Sequence, residues 1–80
     1  MHELGILRQI VKVVVQTAEK NRILSVKHIT LEVGDRSGIV PLYMEKLFPA
    51  ASDAIPILQD TVLKIQMVCG KGLMIRDIGY

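Results

Sequence analysis

The chain begins Met1-His2-Glu3, and those three residues carry the densest set of metal donors in the sequence. A terminal amine, the next backbone nitrogens and an imidazole stand within two or three residues of one another. An α-amine and an imidazole both release their protons near neutrality at modest cost. Planar sets rich in nitrogen favour Ni(II) or Cu(II). Such a site could use the imidazole and the backbone nitrogens of His2 and Glu3, with the Met1 amine also available. The Glu3 carboxylate could also accept a hydrogen bond that orients the site. The plain alternative is a solvated histidine at a frayed chain end.

Other reactive side chains are more scattered. Cys69 is the single cysteine, so no disulfide can form within the chain, as expected of a protein in a reducing compartment. It lies in VCGKGL beside a turn signal, with Lys71 as its nearest cation. His28 alternates with Ile29 on a strand, beside Thr30 and Glu32, and reads as exposed or hydrogen-bonded there. Glu32 and Asp35 flank Gly34 at a strand end, where capping or solvation accounts for them. Ser37 has no base near it in sequence. No nucleophile, base and orienting group converge, so no enzyme is expected. GKG lacks the spacing and following helix of a phosphate loop.

The elements that must position these groups follow from periodicity. Leu4, Leu7, Val11, Val14, Val15 and Ala18 recur at three- and four-residue steps, with Ile10 and Val13 broadening the stripe. They predict an amphipathic helix over roughly residues 4–21, stopped at Asn21. Ile29, Leu31 and Val33 alternate with polar residues, predicting a strand over about 25–33 that Gly34 ends. Ser37 or its followers can cap a second helix, and Pro41 suits its first turn. Pro49 predicts a break, then a short helical piece across 50–54. Thr61–Val68 and Leu73–Ile78 read as strands, the first with Leu63, Ile65 and Met67 on one side. Gly70-Lys71 fits a two-residue turn joining them as an antiparallel hairpin. The fold class is therefore α+β, in the order helix-strand-helix-strand-strand. Its simplest form is a three-stranded mixed sheet with both helices on one face. His28, Thr30, Glu32, Lys64 and Gln66 would face the other way.

Composition narrows the function. Eighty residues make one domain with a small core. Half are hydrophobic, yet there is no Trp, one Phe and two Tyr, so the core is aliphatic and the four Met residues help fill it. A net charge of +2 and so few aromatics give no platform for nucleic acid and no attraction to an anionic membrane. Arg8 and Lys12 interrupt the apolar positions of the first helix, so neither a secretory signal nor a membrane span is expected, and the reading is cytoplasmic.

Taken together, MHELGI, the helix, LEVGDRSGIVP and the closing GKGLMIRDI resemble the HypA/HybF family of nickel-incorporation proteins over nearly the whole chain. The initial Met-His-Glu and L-E-V-G-D-x-S-G at fixed separation carry the resemblance. The resemblance implies transient Ni(II) at Met1-His2-Glu3 with His2 as essential side chain. It also implies service to hydrogenase maturation, with a nickel-handling GTPase and a hydrogenase large subunit as partners. Family members carry a zinc domain with two C-x-x-C pairs between the last two strands. Here VCGKGL stands in that place, at about residues 69–72, and Cys69 is a candidate remnant. One cysteine cannot build a four-thiolate zinc site within a chain. A second reading is an interaction or self-assembly module of the same fold without metal function, in which an open sheet face favours a homo-oligomer.

Overall fold

A computed structural model describes residues 2–80 of the chain. The first helix, α1, runs Glu3–Lys20. Its inward stripe is Leu7, Ile10, Val11, Val14 and Ala18, all buried, while Val13 is 48% exposed and takes no part in the core. Val13 follows Ile10 by three residues, but its direction falls beyond the apolar arc that the sheet and α2 cover. Asn21 is the C-cap, and its side-chain amide donates to the Thr17 carbonyl at 2.8 Å. Arg22 then takes a positive φ of 57°, which turns the chain off the helix axis.

Strand β1, His28–Gly34, is the centre of the sheet. Ile29, Leu31 and Val33 are fully buried beneath the helices. Full burial of such side chains stabilises by roughly 1.5–3 kcal/mol each. Strand β2, Val62–Val68, pairs parallel with β1, and β3, Leu73–Gly79, pairs antiparallel with β1 on its other side. The spatial order is β2-β1-β3. The sheet is mixed and three-stranded as the periodicity predicts, but the expected β2–β3 hairpin does not form. The two strands run in opposite directions with β1 between them. Residues 69–72 are therefore no two-residue turn; they cross over the end of β1.

That crossing explains Gly34-Asp35. The Gly34 N–H donates to the Gly72 carbonyl, the Asp35 N–H to Val68 and the Arg36 N–H to Gly70, each at 2.8 Å. Asp35 Oδ1 accepts the Gly70 N–H at 3.0 Å. A Cβ on Gly34 would stand 2.4 Å from the Gly70 carbonyl oxygen, so only glycine lets the connection lie this close.

Helix α2 runs Pro41–Ser52 without the predicted break. Pro49 sits in its last turn, where it forfeits one helical hydrogen bond and little else, and its own carbonyl still accepts the Asp53 N–H at 2.8 Å. The helical piece expected at 50–54 is simply the end of α2, and a single 3-10 turn, Pro56–Leu58, follows. Val26, Met44, Phe48 and Leu58 complete the core. Of the methionines described, only Met44 packs inside. Met67 and Met74 are 52% and 59% exposed, because they stand on edge strands near the ends that the helices do not reach.

The far face of the sheet carries His28, Glu32, Lys64 and Gln66 as expected, but Thr30 is buried at its centre. A bulge between Thr30 and Leu31 offsets β3 there. Arg76 reaches across β1 to the Gln66 side-chain oxygen on β2.

Candidate functional site

His2 is the N-cap residue of α1 and is exposed. Its side chain makes no capping hydrogen bond, and the imidazole is in no hydrogen bond or ion pair among the described residues, while its carbonyl accepts the Ile6 N–H at 3.1 Å. The first N–H groups of any helix lack an intrahelical acceptor. Glu3 is the first helical residue, so its backbone nitrogen is among those groups. A metal gathered by the His2 imidazole and the Glu3 nitrogen would thus break no helical hydrogen bond. Met1, the expected amine donor, lies outside the described residues.

Glu3 is held differently. Its side chain is buried, and Oε2 accepts the Val40 N–H at 3.3 Å. Val40 is the N-cap residue of α2. The carboxylate thus ties the start of α1 to the start of α2, and an anion is favoured at a helix N-terminus. Ser37, the sequence-based cap candidate, instead accepts the Ile39 N–H at 3.2 Å in a local turn. The cap comes from a residue 37 positions away, which no local pattern reveals. Glu3→Ala is expected to lower stability by about 1 kcal/mol, the usual cost of a lost cap, measured by urea unfolding.

The remaining candidates stay apart from His2. Cys69 is a free, exposed thiol in the crossing connection, beside a hollow of about 230 Å³ lined by Glu32, Val68, Gly72, Leu73 and Met74. His28 Nε2 stands 3.2 Å from Asp77 Oδ1, and its ring lies so close over Gly79 that a Cβ there would collide with it. Asp35 is spent on Gly70. Among the described residues, no three His, Cys, Asp or Glu side chains converge as a metal site. No helix among them is long and apolar enough to cross a membrane. A second, larger concavity that the sequence did not single out lies between α1 and the end of α2, lined by Arg8, Val11, Lys12, Val15, Gln16, Ala51 and Ile55. Its sequence signal was there: two cations at i and i+4 bordering the apolar stripe.

The chain and its fold have clear counterparts. A family model described as hydrogenase/urease nickel incorporation, metallochaperone, hypA, matches residues 1–74. The hydrogenase maturation factor HypA of Geobacter metallireducens is 38% identical over 72 residues, covering 90% of this chain and 62% of that protein. The factor of the same name from Trichodesmium erythraeum is also 38% identical over 72 residues, covering 90% of this chain and 60% of its own length. The chain thus spans about three-fifths of the length of these curated relatives. The solution structure of the Ni metallochaperone HypA from Helicobacter pylori superposes with a TM-score of 0.81 at 15% identity, over 99% of this chain and 97% of that one. A second solution structure, of HypA protein, gives 0.72 at 17% identity over 98% of this chain and 67% of the other. At those identities the likeness is one of fold.

Proposed function

The chain belongs to the HypA family of hydrogenase/urease nickel-incorporation metallochaperones, and from that premise we propose that it carries Ni(II) for hydrogenase maturation at its Met1-His2-Glu3 start. One observation carries the reading: within the matched segment, His2 stands exposed at the N-terminus of α1, and its side chain makes no capping hydrogen bond. His2 is the side-chain ligand. Met1 contributes its amine, and Glu3 a backbone nitrogen, because its carboxylate is occupied with Val40. A carrier must also release its cargo, and an exposed site of few ligands exchanges readily. The protein moves a metal and transforms no covalent bond.

The partners that fit this role are a nickel-handling GTPase as source or co-carrier and a hydrogenase large subunit as recipient. On this reading residues 1–80 form a nickel-binding domain, residues 69–72 stand where the family's zinc domain would be inserted, and Cys69, the one cysteine, gives too few thiolates for a four-thiolate zinc site within the chain.

Equilibrium dialysis against Ni(II) tests the amine. The native chain, with Met1 verified as its first residue, is expected to retain one Ni(II). The same chain with a few residues added before Met1 is expected to lose most of that affinity while unfolding at the same urea concentration. Equal retention by both would remove the amine from the ligand set.

The second reading, an assembly module without metal function, is favoured by the sheet edges. Neither β2 nor β3 has a second neighbour among the described residues, and Val62 and Met67 are exposed on the β2 strand. It makes a distinct forecast: association that rises with concentration and does not respond to nickel.

A further inference from the structure

The groove between α1 and the end of α2 holds about 310 Å³, more than the hollow beside Cys69, and the proposed nickel site has no use for it. Its floor is aliphatic: Val11, Val15, Ala51 and Ile55. One wall is the ridge Arg8, Lys12 and Gln16, spaced by four along α1 and exposed to solvent. No acidic residue lines it. Among the described residues the ion pairs are His28–Asp77, Arg36–Asp35 and Arg76–Asp77, so Arg8 and Lys12 enter none. Two cations thus border an apolar trough that no acidic residue lines, and neither is ion-paired among the described residues.

From this charge pattern we propose that the groove docks an acidic amphipathic helix of a partner protein. Aliphatic side chains of that helix would enter the trough, and its carboxylates would meet Arg8 and Lys12. The volume suits the task, being about twice the ~150 Å³ that holds one benzene-sized group, which leaves space for two branched side chains. An i, i+3, i+7 set of anchors is the usual way a helix fills such a groove. The surface stands apart from the metal site: Arg8 lies about 7.5 Å along the α1 axis from Glu3. Docking there leaves His2 exposed and does not depend on nickel.

The test uses the whole chain and a synthetic end-blocked helical peptide with leucines at i, i+3 and i+7 and glutamates beside them. Fluorescence anisotropy reads the affinity, and amide shifts in NMR read the place. Expected are saturable binding that weakens with salt, and shifts centred on Val11, Val15, Ala51 and Ile55. The double variant Arg8→Glu/Lys12→Glu is expected to weaken binding at least about tenfold. A peptide with lysines in place of the glutamates is expected to restore it. Both residues are exposed, and circular dichroism verifies that the variant remains folded. Binding that ignores the peptide's charge, shifts that map elsewhere, or no binding at all would overturn the proposal. So would a sedimentation result in which a second copy of the chain covers the groove, or binding confined to vesicles of anionic phosphatidylglycerol.

Discussion

Gly34→Ala is expected to destabilise the fold by about 3 kcal/mol or more, near the top of the range for single substitutions. The cause is backbone meeting backbone. The new Cβ would stand 2.4 Å from the Gly70 oxygen, 2.6 Å from its carbon and 2.9 Å from the Lys71 nitrogen. No side-chain rotation relieves such a contact, so the connection must lift. Lifting it strains the bonds that Gly34, Asp35 and Arg36 send to Gly72, Val68 and Gly70. These bonds hold the β2 and β3 ends against β1. A domain of this size has a total stability of roughly 4–12 kcal/mol, so the loss is a large share of it. At about 4–8 °C per kcal/mol, the melting temperature should fall by roughly 12–24 °C. Gly72→Ala is the control: it lies in the same connection, a Cβ there meets nothing within 4 Å, and it should melt close to the parent. Thermal unfolding followed by circular dichroism checks both. A Gly34→Ala protein within about 0.5 kcal/mol of the parent, the ordinary surface range, would contradict the crossing.

His2→Ala is expected to act in the opposite manner, on binding and not on stability. The imidazole is exposed and makes no capping bond, so its removal should leave the urea midpoint unchanged. It is the side-chain donor of the proposed set, and its loss should lower Ni(II) affinity by about a hundredfold or more, ~2.8 kcal/mol, read by competition with a coloured chelator. Glu3→Ala is the mirror case. It should lose stability through Val40 and keep its nickel, because only its backbone is assigned to the metal. The two neighbouring substitutions therefore separate a ligand from a brace. If Glu3→Ala loses nickel while His2→Ala keeps it, the assignment is reversed.

How far the sequence announced this follows from particular residues. The stripe from Leu7 to Ala18 gave α1 within one residue at each end, and Pro41 at a first turn gave the start of α2. Alternation in 29–33 and at 63 and 65 gave the covered faces of the strands, while Met67, in the same row, is 52% exposed and Thr30, expected outward, is buried. It could not give their neighbours, since a period of two says which side a residue faces and nothing about the strand beside it. The short glycine-bearing stretch 69–72 serves a hairpin or a crossing equally well. Two strand spacings are only about 9.6 Å, well within reach of the five Cα steps from Val68 to Leu73 at ~3.3 Å each. Pro49 misled for a positional reason: its cost is one hydrogen bond, and in a last turn the packing of Phe48 and Ser52 outweighs it. Met-His-Glu was legible as a nitrogen-rich start. The partner of the Glu3 carboxylate was not, because Val40 is distant in sequence. The groove beside Arg8 and Lys12 was legible only on its α1 side, as Ala51 and Ile55 close it from a distant part of the sequence.

The most direct measurement is a calorimetric titration of Ni(II) into the untagged chain with Met1 verified as its first residue, run beside His2→Ala. Nickel held at the N-terminus gives one Ni(II) per native chain and no comparable heat from the variant. A native chain that takes up no nickel, or a variant that binds it equally well, would contradict a carrier built on His2.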